Sequence, residues 1–290
     1  MVGNIGQPAL ESLLMKIGKA DIFVCELSSY QLDDIQYSPN IAVILDLYPE
    51  HMDYHRTINN YYLAKKNIIK YAKKDSFFVY NPDFKLLKSW AGQTICHPVP
   101  FEKNIHLTKN PLIGEHNLDN LRGAFTVCHL LNISDRTINQ AVGQFKPLPH
   151  RLQLVGSYSG ITFYDDAIST TPQSTIFAIK SLKKIGVIFL GGQDRGYDFS
   201  SLINTIIDYK IPNLVLFPDS GNKIYRQLSK LKDKFNILRT NKMKEAVKFA
   251  YQVCQKGTVC LLSTASPSYS LWKNFEEKGD QFQFYAKKFQ

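Results

Sequence analysis

Along this chain, short runs of consecutive apolar residues alternate with longer segments in which apolar residues recur every three or four positions. That alternation predicts strands of a mostly parallel sheet joined by helices. Residues 21–27 (DIFVCEL) read as a buried strand, and residues 41–47 (IAVILDL), behind Ser38-Pro39-Asn40, as a second. Residues 76–80 read as a third, ended by Asn81-Pro82. Apolar residues at Ile58, Tyr61, Tyr62, Ile68, Ile69 and Tyr71 predict a helix over 58–72. Helices are also expected over 117–131 and 134–145, the latter with Ser134 as N-cap. Pro147 and Pro149 suit neither a helix interior nor a central strand, so residues 146–151 read as a linker. Beyond it the alternation resumes, with strands expected over 161–165, 186–190, 214–218 and 259–263. Helices are expected over 173–182, 222–231, 242–255 and 269–277. The fold class is α/β in two domains.

Composition narrows the function classes. The 290 residues suffice for two domains with a core each, and 44% hydrophobic with 21% charged residues is a globular balance. No apolar run has the length of a membrane span, and the opening residues lack a signal peptide's pattern, so a cytoplasmic chain is expected. The five cysteines are scattered without a CxxC pair, which points to reduced, buried thiols. A net charge of +10 fits either a solvated lysine-rich surface or an anionic partner. The lysines come singly or in pairs, without a dense basic run, so a nucleic acid is the weaker of the anionic partners.

Open α/β sheets place their chemistry past the C-terminal ends of strands, and four polar clusters stand there. Glu26 follows the apolar run FVC, where a carboxylate is costly unless it is paired or binds a cation; a solvent-facing strand end is the plainer reading. Glu50, His51 and Asp53 are close enough to ligate Mg²⁺ or to form an ordinary polar loop. Asp165, Asp166, Ser169, Thr170 and Thr171 precede a helix, whose free N–H groups suit an anion as well as a simple cap. Finally, the Gly191-Gly192 loop carrying Arg195 and the Ser263–Ser270 stretch end two apolar strands; the glycines permit close approach to a ligand that Arg195 could grip.

Taken in order, these clusters resemble the Mur ligases, most closely their glutamate-adding branch, over nearly the whole chain. Gly3-Asn4-Ile5-Gly6 is similar to that family's GNIG, Glu26–Leu32 to its ELSSFQL and Glu50-His51-Met52-Asp53 to its DHxD. Gly114-Glu115-His116-Asn117 with Asn120 resembles GxHNxxN, and His150-Arg151 the HR of the domain junction. Residues 263–279 resemble the closing SPAxxSxxxFxxFxxRG. The resemblance implies an incomplete P-loop-type central ATPase domain over 1–147, followed by a Rossmann-like domain over 148–290. It implies ATP and Mg²⁺ as cofactors, and UDP-N-acetylmuramoyl-L-alanine and glutamate as substrates joined through an acyl phosphate. Glu26, His51 and a carbamylated Lys65 would hold the metal. Asn117, Asn120, Arg151 and Asp166 would contact the nucleotide; Thr170, Arg195, Ser268 and Phe275 would surround the glutamate.

The pattern departs from the family in two places. The family's phosphate loop belongs ahead of GNIG, before Met1, so this chain alone is expected to be inactive or nearly so, or to pair with a separately encoded front half. A non-catalytic fragment is the competing reading. Ile168 and Arg195 stand where the family has lysines, which suggests a branch specific for L-glutamate.

Overall fold

The computed structural model describes residues 1–3, 8–14, 16–18, 20–228 and 234–290. Asn4-Ile5-Gly6, the greater part of the GNIG match, lies outside them, as do residues 229–231 of the helix expected at 222–231. The chain divides into two compact units, Met1–His106 with Asp119–Ile138, and Leu107–Leu118 with Asn139–Gln290. Among the described residues, no helix is long and apolar enough to cross a membrane.

In the first unit, β1 (Val2–Gly3) pairs in parallel with β2 (Cys25–Glu26), with a 3-10 turn over Ala9–Leu14 between them. The helix α1 (Ser29–Asp33) leads to β3 (Ile41–Ile44), then α2 (Met52–His55), α3 (Ile58–Lys70), β4 (Phe77–Tyr80), α4 (Lys85–Ala91) and β5 (His97–Pro100). Strands β3, β4 and β5 form a parallel three-stranded sheet. Its core gathers Ala42, Ile44, Ile69, Phe78, Leu87 and Trp90, so α3 and α4 cover it with the stripe that helical spacing gave them. α5 (Glu115–Leu130) and α6 (Asp135–Gln144) have residues in both units. Ser134 lies at the start of α6, its Oγ accepting from Thr137 N at 3.4 Å.

One expectation fails here. Residues 21–27 are not a buried strand: only Cys25–Glu26 pair, and Ile22, Phe23 and Val24 are 63%, 45% and 64% exposed. An apolar run records a tendency to be covered, and among the described residues nothing covers this one. Cys25 is accordingly exposed, while Cys96 and Cys260 are buried thiols.

The second unit is built on a six-stranded sheet in the order β10-β9-β8-β11-β7-β6. Its elements are β6 (Gln153–Tyr158), β7 (Ile161–Asp165), α7 (Pro172–Ser181), β8 (Ile185–Gly191), α8 (Ser200–Asp208), β9 (Asn213–Phe217), α9 (Ser220–Gln227), β10 (Asn236–Arg239), α10 (Met243–Val253), β11 (Val259–Leu262) and α11 (Phe275–Lys288). All neighbours are parallel except β6 on β7. Strand alternation sorts the core into two layers. Ile188 and Leu190 of β8 face Ile179 of α7, Leu202 and Ile206 of α8 and Ile224 of α9. Val187 and Phe189 face Ala246 and Ala250 of α10 and Phe282 and Ala286 of α11. Because α10 returns on the opposite layer, β11 inserts between β7 and β8, which makes the C-terminal ends of these three strands the switch point of the sheet.

The helix expected over 269–277 is displaced. It begins at Phe275, where Asn274 Oδ1 caps the Glu277 N–H at 2.9 Å, and it runs to Lys288. Residues 269–274 form turns instead, because Pro267 and the Leu271 and Trp272 N–H bonds to Ser268 O close a tight bend first. The strands β1, β5, β6 and β10 and the helices α1, α2, α4 and α8 have no counterpart among the expected elements.

Candidate functional site

In the first unit, local chemistry sets Glu26 and His51 at chain reversals. Past Glu26, Ser28 and Gln31 form a capping box: Gln31 N donates to Ser28 Oγ at 3.3 Å and Ser28 N to Gln31 Oε1 at 2.8 Å. This ends β2 at Glu26 and starts α1. His51 has φ +58°, a left-handed conformation that a histidine adopts at some cost and that turns the chain directly into α2. Its ring lies 4.8 Å from that of Tyr30, and its Nε2 is 3.8 Å from Glu50 Oε2.

Lys65 projects from α3, which Thr57 caps through Asn60 N at 3.1 Å. Burial lowers the Lys65 pKa, against the pull of Asp46, Glu50 and Glu26. Asp46 is exposed, yet desolvation by the protein packed around it raises its carboxyl; Lys65 draws it down, while Glu50 and Asp119 push it up. Tyr61, buried beside them, is raised by burial and by the charges of Glu50 and Asp46. The first unit thus sets Lys65 in the fields of three carboxylates, of which Glu26 and Glu50 were candidates from the sequence. Asp46 was missed, although a carboxylate inside the run IAVILDL carries the same signal that singled out Glu26. Among the described residues, no three His, Cys, Asp or Glu side chains converge as a metal cage. Glu26, Glu50 and Asp46 carry carboxylate oxygens of the kind Mg²⁺ takes, and a carbamate on Lys65 would add another.

In the second unit the loops after β7, β8 and β11 meet at the switch point. Gly191 N donates to Thr264 O and Gln193 N to Pro267 O, both at 2.8 Å. A Cβ on Gly192 would stand 2.3 Å from Pro267 O, so the approach of these two loops requires glycine there. Asp166 is 3% exposed; Leu152 N donates to it at 3.0 Å and Ser263 Oγ at 2.7 Å, and Ser263 Oγ also meets Thr175 Oγ1 at 2.9 Å. Burial outweighs these bonds and raises its pKa to about 6. Beside it, Asp165 accepts from His150 Nδ1, which raises the histidine pKa, and from Gln283 Nε2, both at 2.8 Å.

Thr170 is half-buried next to the cap of α7, where Thr171 accepts from Ser174 N at 3.2 Å. Ser268 Oγ is buried and makes no hydrogen bond. Phe275 is half-buried with its ring 6.0 Å from that of His150. Arg195 and Arg151 are exposed; the Arg195 Nε lies 3.5 Å from Gln193 Oε1. Asn117 is buried and donates to Ile113 O at 2.7 Å, while Asn120, one helical turn on, is half-buried. Nothing in the residue types marked Lys278, which is fully buried on α11 beside these loops. Its signal was positional: Lys278, Phe282 and Ala286 recur every four residues on one helical stripe.

Comparison with known proteins bears on the family and the fold. Residues 6–104 match the Mur ligase middle domain. The chain is 32% identical over 311 residues to a UDP-N-acetylmuramoylalanine–D-glutamate ligase of Thermoanaerobacter pseudethanolicus, covering 97% of this chain and 68% of that protein. It is 34% identical to the protein of the same description from Streptococcus agalactiae, covering 97% and 66%. Among solved structures it resembles a MurF ligase of Thermotoga maritima in complex with ADP, with a TM-score of 0.64 at 15% identity over 87% of this chain and 64% of that one. The chain spans about two thirds of the length of these relatives.

Proposed function

The chain belongs to the Mur ligase family, and from that membership we propose that it supplies the central and C-terminal parts of a cytoplasmic, ATP-dependent ligase joining glutamate to UDP-N-acetylmuramoyl-L-alanine in peptidoglycan precursor synthesis. The observation that carries this reading is 32% identity to a D-glutamate ligase in an alignment covering 97% of the chain, with the Lys65 carboxylate cluster and the switch-point loops both inside the matched span.

In this reading ATP phosphorylates the alanine carboxylate, and the glutamate amine displaces phosphate from the acyl phosphate to leave an amide, ADP and phosphate. Burial of Lys65 favours its neutral amine, the form that adds to CO₂ with loss of a proton. The resulting carbamate turns a cation into an oxygen donor, and with Glu26 and His51 it is assigned to Mg²⁺. The metal, when bound, would neutralise charge on the phosphoryl oxygens. Asn117, Asn120, Arg151 and Asp166 are assigned to the nucleotide. Thr170, Arg195, Ser268 and Phe275 are assigned to glutamate, with the unbonded Ser268 hydroxyl as a donor.

The test is phosphate release from ATP with UDP-N-acetylmuramoyl-L-alanine and either enantiomer of glutamate. It uses the chain alone and the chain supplied with the front third of a relative. We expect release that depends on glutamate only when the front third is present, and a loss of about a hundredfold or more with Lys65→Met, the scale of removing a group that serves only the transition state. The relatives' names favour D-glutamate, whereas Ile168 and Arg195 favour L-glutamate; the two enantiomers decide between them. No glutamate dependence in either format would overturn the reading. A second reading, a non-catalytic half that docks a separately encoded front half, is favoured by the exposed apolar residues Ile22, Phe23 and Val24.

A further inference from the structure

We propose that Lys278 is a positioning residue for the amino-acid pocket at the ends of β7, β8 and β11, tethering the Thr264–Ser268 turn to α11. The proposal rests on the reading that these loops receive glutamate.

Lys278 is fully buried, as are Phe282 and Ala286 on the same stripe of α11. Folding alone does not call for a lysine there. Burying an ammonium is costly, and an unbranched apolar side chain such as methionine would fill the same space without that cost. The cost shows in its proton affinity: burial drives the Lys278 pKa down to about 7, even with Asp165 and Asp166 holding the proton on.

What the ammonium does is specific. Its Nζ donates to Thr264 Oγ1 at 2.5 Å, and Thr264 Oγ1 donates onward to Ser266 O at 3.0 Å. Ser266 Oγ is 2.7 Å from Ser220 Oγ at the start of α9. The backbone of the same turn accepts from Gly191 and Gln193. One charge-assisted bond therefore fixes the turn against which the Gly191-Gly192 loop closes. At the end of that turn stands Ser268, 2% exposed, its hydroxyl without a hydrogen-bond partner. A buried hydroxyl left unbonded is held there at a cost, which a ligand's polar group would relieve. Lys278 also lies in the fields of Asp165 and Asp166, which hold its proton on against burial.

The test compares the 290-residue chain with Lys278→Met, Lys278→Arg and Thr264→Val by amide hydrogen exchange and by ligand-observed NMR titration of D- and L-glutamate. In Lys278→Met and Thr264→Val, exchange in residues 264–271 should rise about tenfold or more, the scale of a lost charge-assisted bond. Strands β8 and β11 should stay as protected as in the unaltered chain, and Lys278→Arg should restore much of the protection. Glutamate affinity should fall in parallel and recover in parallel. Unchanged exchange in the turn overturns the tether. A rise spread evenly through β8, β11 and the turn overturns it too, since Lys278 would then support only the core. Should Lys278→Met fail to fold, Thr264→Val and Lys278→Arg carry the same comparison. If the unaltered chain binds neither enantiomer, the glutamate reading fails, while the exchange measurement still upholds or overturns the tether.

Discussion

Gly279 follows Lys278 and leaves no room for a side chain. A Cβ there would lie 2.1 Å from His150 Nδ1 and 2.6 Å from Asp165 Oδ2. These are the two atoms that form the buried His150–Asp165 bond, and neither can retreat without breaking it. Gly279→Ala is therefore expected to destabilise the chain by about 1–3 kcal/mol, the range for overpacking, although alanine is the better helix former by intrinsic propensity. Urea unfolding measures the loss; an unchanged midpoint would show that α11 can slide away from β7. The residue scale is also where sequence reading reached least evenly. Glu26 and His51 stand out as polar groups just past apolar runs, whereas Lys65 enters only through the family resemblance, since a lysine inside a helix reads as solvated. Asp46 met the same criterion and was passed over inside its run. Lys278 and Gly279 enter the sequence reading only as the end of the stretch 263–279, since a lysine on a helix is by default solvated. Only packing shows which stripe of α11 is covered.

At the scale of elements, the end of α5 is held by one histidine between two acids. His129 Nδ1 meets Glu102 Oε1, just past β5, and its Nε2 meets Asp135 Oδ1, the first residue of α6, both at 2.7 Å. Both bonds raise the histidine pKa above 6.5. A group whose proton is held more tightly in the folded chain stabilises fully below its unfolded pKa and loses that contribution as pH rises through the folded value. The unfolding temperature of the unaltered chain should therefore fall between about pH 6 and pH 8 relative to that of His129→Gln, which lacks the titrating ring. Parallel curves for the two proteins would mean that these contacts contribute nothing in solution, as happens with many exposed ion pairs. The elements that sequence reading placed well are those with strong periodicity, such as α3 and α5, or a long apolar run, such as β8 and β9. The start of α11 was misplaced because Tyr269, Leu271 and Trp272 mimic helical spacing while Ser268 closes a turn beneath them. Short α8 was passed over although Asp198, which accepts from Ser200 N at 3.0 Å, marks its beginning.

At the scale of the whole molecule, the run 21–27 carries information that its own structure does not use. Ile22 and Val24 alternate with Phe23, so one apolar side chain or another projects on both faces, as in a strand covered on both sides of a parallel sheet. All three are exposed, and so are Leu10 and Leu14 of the preceding turn. Burying a valine, isoleucine or phenylalanine is worth about 1.5–3 kcal/mol each, so polypeptide able to cover this run would bind with a considerable driving force. The chain spans about two thirds of the length of its relatives, so the remainder of such a relative is the polypeptide with which to test for a cover. Two measurements separate that from an inert surface. Replacing Ile22, Phe23 and Val24 together by serine should leave the unfolding free energy of the chain within about 0.5 kcal/mol, because exposed side chains have little to lose, while its binding of a hydrophobic dye falls. Adding the front third of the Thermoanaerobacter relative should suppress dye binding by the unaltered chain, slow amide exchange over 22–26, and do neither to the serine variant. A stability loss of several kcal/mol in the serine variant would show that the run is buried in solution after all. Undiminished dye binding and exchange with the front third present would mean that this surface serves some other contact, and the pairing of a front half with this chain would have to be abandoned.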